Sequence, residues 1–305
     1  MSAVIRIATR QSMLAMWQAR HVKELLEQAN PGLSVELLPM LTRGDKIIDQ
    51  PLAAIGGKGL FLKELEHALL NDEADLAVHS MKDVPALMAD GLKVDVVLPR
   101  ADPRDALLSN EGRDLSDLPS GALVGTSSLR RQCQLKAARP DLRVTDLRGN
   151  VDTRLRKLDE GQYQAIILAC AGLERLGLGD RITQALPSPQ WLPASTQGII
   201  GLQQRSDDQR VADFIAPLND APTHVCALAE RRVAGRLEAS CQLPIAVHAQ
   251  LGDQLQLHAL VGMPDGTGII RASAVGSDTA PEQLGDDVAR KLLEKGAAQI
   301  IEALG

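Results

Sequence analysis

Short apolar runs rich in β-branched residues alternate with helix-patterned stretches through most of this 305-residue chain, and the alternation starts twice. Strands separated by helices pair in parallel through crossovers, so the pattern confines the chain to layered α/β folds. The first series runs VIRIAT, a helix from about Ser12 to Gln28, VELLPM, a helix through KELEHALL, DLAVHS and KVDVVLP. Leu14, Val22, Leu25 and Leu26 share one face of the first helix, and Ser12 suits its N-cap. After the turn-rich PRADPRD, a second series reads ALVGT, SLRRQCQLKAA, LRVTDLR, VDTRLRKLDEG and AIILAC. LPASTQGIIGLQQR follows, a segment suited to carry the chain back to its first part.

From about residue 220 the style changes. A helix ends near Arg236; IAVHAQL, QLQLHALVGM and TGIIRASAV then read as three strands separated by GD and PDG turns. A single last helix is expected from about Pro281 to Leu304. The expected organisation is therefore three domains: residues 1–99 with 199–217 (α/β), 104–193 (α/β), and 221–305 (α+β with a three-stranded antiparallel sheet).

Charge narrows the function. The net charge is −6, with two Trp, one Tyr and two Phe, which leaves little for general attraction to nucleic acid or for base stacking. Cys133, Cys170, Cys226 and Cys241 lack any CxxC pair, so neither a zinc cluster nor a disulfide framework is expected. MSAVIRIATR enters a strand pattern almost at once, without a long apolar leader, and a cytoplasmic location is the expectation.

Against that acidic background, basic and hydroxyl residues collect where strands give way to helices: Arg10 and Ser12, Ser80 and Lys82, Thr126 to Arg131, and Arg148 to Arg154. The carboxyl ends of strands in open α/β sheets are where anions meet helix N-termini, and arginine forks pair with carboxylate or phosphate. GGKG lacks the rest of a P-loop and no GxGxxG follows a strand, which favours carboxylates without settling the choice. Asp83, alone among cations in HSMKDVP, suits pairing with a cation or ring N–H, or acid and base work; His79 beside it reads as structural.

The stretches RIATRQS, TRGD, GGKGLF, AVHSMKDVP, DPRDA, VGTSSLRRQ, LRGNVDTRL, AIILACAGLERLG and CQLPI, in this order over residues 5–245, resemble the porphobilinogen deaminase family. The resemblance implies two domains like those of periplasmic binding proteins with a cleft between them, and a smaller third domain. It implies a dipyrromethane cofactor joined to Cys241 by a thioether, and a monomer that binds neither nucleic acid nor membrane. The implied reaction joins four porphobilinogen molecules head to tail with loss of ammonia, then releases linear hydroxymethylbilane by hydrolysis. By the family pattern, Ser80, Lys82, Asp83, Thr126, Ser128, Arg130, Arg131, Asn150 and Arg154 hold the cofactor. Arg10, Ser12, Gln18, Arg148 and Arg175 contact substrate or the growing chain, and Asp83 is the catalytic group.

The chain departs from the family at three places: Ala239-Ser240 stand where two glycines usually precede the cysteine, Ser195-Thr196-Gln197-Gly198 replaces VGQG, and Ala54 replaces a lysine before GGKG. Two other readings fit the same fold: a non-catalytic binder of small anions, and a deaminase-derived scaffold that loads no cofactor.

Overall fold

The structure, a computed structural model, describes residues 3–42, 62–238 and 243–304. The chain divides into two compact units, Met1–Ala101 with Ile199–His224, and Asp102–Gly198 with Val225–Gly305.

The first unit begins with β1 (Val4–Arg10), α1 (Met13–Ala29), β2 (Ser34–Met40), α2 (Lys63–Leu70), β3 (Leu76–Ser80) and β4 (Leu92–Val97). β1 pairs in parallel with β2 on one side and β3 on the other. Alternation along β1 sends Ile5 and Ile7 to one core, with Val22 and Leu26 of α1, and Ala8 to another, with Leu65 and Leu69 of α2. Both faces of the sheet are thus covered, which is why its strands read as nearly continuous apolar runs. Burial of each such Leu or Ile contributes about 1.5–3 kcal/mol.

The second unit repeats the scheme with β5 (Asp105–Ser109), β6 (Leu123–Gly125), α3 (Leu129–Ala138), β7 (Arg143–Thr145), α4 (Val151–Asp159), β8 (Ala165–Ala169), α5 (Cys170–Arg175) and β9 (Gln184–Leu186). Its sheet order is β7-β6-β8-β5-β9, with β6 parallel to β7 and β8, and β5 antiparallel to β8 and β9. Reading the DPRDA region as turns alone missed β5, where Ala106, Leu107 and Leu108 are all buried. β9, at the sheet edge and three residues long, was also missed.

The chain then supplies β10 (Ile200–Arg205) and α6 (Gln209–Ile215) to the first unit. β10 inserts antiparallel between β3 and β4, completing the order β2-β1-β3-β10-β4. The two five-stranded sheets therefore share one plan, three parallel strands followed by an antiparallel strand in the fourth place.

After α7 (Ala221–Arg236), β11 (Ile245–Leu251), β12 (Leu255–Val261) and β13 (Ile270–Gly276) form the expected antiparallel sheet. Its core joins Val247, Leu257 and Val261 to Ala229 and Val233 of α7. The expected single last helix is two, α8 (Pro281–Glu294) and α9 (Ala297–Leu304). Gly296 separates them at φ 99°, a conformation that ends a helix and that glycine adopts without a Cβ clash. Among the described residues, no helix is long and apolar enough to cross a membrane.

Candidate active site

In the first unit, the strand ends gather Arg10, Ser12, Gln18, Ser80, Lys82 and Asp83. Arg10 is the last residue of β1, and Ser12 caps α1, its Oγ accepting from the Ala15 N–H at 3.4 Å. Gln18, buried one and a half turns into α1, donates through Nε2 to Ser80 Oγ at 2.8 Å, which ties that helix to the end of β3. The next three residues, Met81–Asp83, form a 3₁₀ turn. Met81 is buried against Gly201 of β10, where any Cβ would collide with its sulfur, and the Met81 N–H donates to Ile199 O at 3.0 Å. That anchor fixes the turn from beneath, half-buries Lys82 and leaves Asp83 exposed.

His79 points into the opposite layer. Its Nε2 meets Gln203 Oε1 at 2.8 Å while Gln203 Nε2 donates to Glu66 Oε1 at 3.1 Å, so the chain of donors assigns the ring hydrogen to Nε2. Burial pushes its pKa down to about 4, so the ring is neutral at pH 7 and serves as a structural donor. Asp83 and Arg10 both act on this ring through their charges, in opposite directions. Among the described residues, Asp83 takes part in no ion pair.

In the second unit, Thr126 follows β6 and accepts from the Ser128 N–H at 3.3 Å. Ser128 occupies the N-cap of α3, yet its hydroxyl does not cap the helix. Asn150 caps α4 by accepting from the Thr153 N–H at 2.9 Å. Gly149, at φ 112°, turns the chain into that helix, and its carbonyl accepts from Arg154 Nε at 2.7 Å. Arg148 lies 3.6 Å from Asp146. Arg175, at the end of α5, donates to Gly198 O at 2.7 Å, and burial lowers its pKa to about 10. Two helix N-termini and several cations thus sit at one sheet's strand ends, an arrangement suited to carboxylates.

Arg130 and Arg131 have a role that the sequence reading lacked. They are 5% and 6% exposed, and both donate to the fully buried Asp105 at the start of β5. Trp191 Nε1 at 2.8 Å and Gln197 Nε2 at 2.9 Å converge on the same carboxylate. Arg130 also donates to Leu192 O and Arg131 to Ile167 O. The two guanidiniums hold the Asp105 carboxyl far below the usual carboxylate range despite its burial. DPRDA was recognised as a motif, but the only local sign of this cluster was an acid opening an apolar run.

Glu230 was also missed. It is fully buried on α7, and it accepts from the Thr196 N–H and, at 2.7 Å, from the Ala249 N–H. Thr196 stands at φ 57°, where a β-branched residue is strained by about 1–2 kcal/mol. This is one of the positions where the family pattern has glycine. Glu230→Ala leaves two buried N–H groups without acceptors, at about 1–3 kcal/mol each. A loss of about 2–5 kcal/mol in urea unfolding is expected; a change below about 0.5 kcal/mol would contradict it.

Cys241, Ala239, Ser240 and Ala54 lie outside the described residues, as do most of TRGD and all of GGKGLF. The remaining assigned residues fall at strand ends or helix starts of the two units, apart from Gln18 within α1 and Arg175 at the end of α5.

Comparison with known families settles the lineage. The model described as porphobilinogen deaminase, dipyromethane cofactor binding domain, matches residues 5–213, and that of the porphobilinogen deaminase C-terminal domain matches residues 224–294. The chain belongs to the porphobilinogen deaminase family. Membership implies transferase chemistry on porphobilinogen in tetrapyrrole biosynthesis, and the larger matched domain is the one that binds the dipyrromethane cofactor.

Three solved structures resemble parts of the chain. The BvgS periplasmic domain of B. pertussis has 18% identity over 70% of this chain and a TM-score of 0.39; the chain spans 39% of its length. A putative periplasmic sulfonate-binding protein, SsuA of Methylobacillus flagellatus KT, has 14% identity over 75% of this chain and 68% of its own, with a TM-score of 0.42. The probable amino-acid transporter extracellular-binding protein ytmK of Bacillus subtilis has 12% identity over 72% of this chain and 90% of its own, with a TM-score of 0.42.

Proposed function

We propose that the chain is a hydroxymethylbilane synthase. It would couple four porphobilinogen molecules in turn onto a dipyrromethane borne by Cys241 and release the linear tetrapyrrole by hydrolysis. The observation that carries this reading, within the family, is an exposed carboxylate, Asp83, on a firmly anchored turn at a strand end otherwise furnished with cations and hydroxyls.

The donor set suits the cofactor, whose rings carry acetate and propionate groups. By the family pattern, Ser80, Lys82, Thr126, Ser128, Asn150 and Arg154 would hold those carboxylates. Arg130 and Arg131 join them with the N–H groups that Asp105, Leu192 and Ile167 leave over, since a guanidinium has five. When bound, the dipyrromethane supplies the pyrrole α-carbon to which the first substrate is joined.

Arg10, Ser12, Gln18, Arg148 and Arg175 orient the substrate and the lengthening chain by their side-chain groups. Gln18 does so while fixed to Ser80, so binding and cofactor retention share one hydrogen bond. Asp83 acts where charge develops. Ammonia loss leaves a pyrrole poor in electrons, and a carboxylate toward the ring N–H stabilises the positive charge. The same oxygens accept the proton that ring coupling releases. Family resemblance alone supports a cytoplasmic monomer of three domains as part of this reading.

The test is the intact mass of the purified protein. An excess equal to two linked pyrrole units, absent from Cys241→Ser, is the expected result. An unmodified mass that persists after incubation with porphobilinogen would instead favour a scaffold that loads no cofactor.

A further inference from the structure

A second group of cations includes none of the residues assigned above. In the second unit a concavity of about 750 Å³ is lined by Arg271 of β13, Lys291 and Lys295 from the end of α8, and His258 of β12, with Ala259 and Ala272 among its apolar walls. Among the described residues no carboxylate lines it. Among the described residues, none of the three cations has an acidic partner. This contrasts with the same helix, where Arg290 takes both Asp287 and Glu294, and with a chain in which acids outnumber bases.

Backbone carbonyls fix the cations instead. Lys295 Nζ donates to Arg271 O at 2.8 Å and Lys291 Nζ to Ser273 O at 3.1 Å. Those carbonyls are two residues apart on β13, an edge strand, so the ammonium groups are anchored about 7 Å apart. Each retains two of its three donors. Arg271 is held by bonds from Nη1 to Pro189 O and from Nη2 to Gln190 O. Arg271 and Lys295 are exposed and Lys291 is half-buried, so all three charges keep contact with solvent and need no acidic partner.

We propose that this concavity binds a compact oligophosphate, either inorganic or the diphosphate of a nucleotide. Two ammonium groups at this separation each meet one phosphoryl group of a diphosphate. Lysine acts on phosphate as a point charge with rotatable donors. An arginine fork pairs with carboxylate or phosphate alike, but both terminal nitrogens of Arg271 are tied to the chain, which leaves recognition to the two lysines. The volume lies within the range of small-ligand sites.

Titration calorimetry of the full chain with inorganic pyrophosphate, at fixed ionic strength because such binding is screened by salt, tests the assignment. Saturable binding with Kd at or below about 1 mM is expected, weakened about tenfold or more in Lys291→Gln/Lys295→Gln. Porphobilinogen turnover of that double variant should match the parent, which separates this site from the strand-end cations. ADP binding more tightly than pyrophosphate would point to a nucleotide, and weaker binding to an inorganic anion; both fit the proposal. Three results overturn it: no saturable binding, equal affinity in the double variant, or citrate binding more tightly than pyrophosphate.

Discussion

Asp105→Asn is expected to lower the free energy of unfolding by about 3–5 kcal/mol, the usual consequence of removing one partner from a buried ion pair. The substitution keeps the volume and removes the charge. Arg130 and Arg131 would then be two buried cations, 25 and 26 positions along the chain from a neutral amide. Trp191 and Gln197 would meet a group with one acceptor oxygen in place of two. Urea unfolding measures the loss directly, and a change under about 1 kcal/mol would mean that the arginines find other partners. The parent should also show the matching acid dependence. The folded-state pKa of Asp105 is depressed, so its contribution is complete above the ordinary carboxylate value and declines as pH falls below it, toward the depressed one. In Asp105→Asn that part of the acid dependence disappears.

Asp83→Asn is expected to behave in the opposite way, reducing turnover by about 10²–10⁴-fold while leaving stability within about 0.5 kcal/mol. Asp83 is exposed and has no ion-pair partner among the described residues, so little of the fold rests on it. The anchor of its turn lies in Met81 and Gly201. An asparagine preserves size and one acceptor but can neither balance a developing positive charge nor take a proton. The cofactor mass should persist in the variant, which separates a failure of coupling from a failure of loading. Parental turnover in Asp83→Asn would remove it from the catalytic role.

The layers of this fold were legible because burial on both faces leaves runs such as VIRIAT and AIILA, and because turn residues interrupt them at regular intervals. The strand-end residues were legible as motifs for the same reason: the chemistry of α/β sheets collects where strand meets helix. What escaped depends on contacts remote in sequence. Asp105 draws Trp191 and Gln197 from 86 and 92 positions away, and no local periodicity registers such a pairing. Glu230 is a charged residue among Cys226, Ala229 and Val233 on a helix; its reason for being there is the Thr196 N–H, 34 positions earlier. The helix break at Gly296 was visible in principle, since a lone glycine after Lys295 is a common end signal, but the flanking LLEK and AAQII continue helical periodicity across it.

The position of β10 governs the order in which the two large sheets can be finished during synthesis. β3 and β4 are neighbours of β10 and not of each other, so neither has its full complement of backbone partners until Ile200–Arg205 has been made. That is about a hundred residues after β4, on the order of 5–20 s at ordinary elongation rates. The second sheet draws all five strands from Asp105–Leu186 and can close first. Until then a nascent chain can hold a finished later sheet while the earlier one ends at an open β3 edge with β4 unpaired. That open edge is the kind of surface on which ribosome-bound chains aggregate or recruit chaperones.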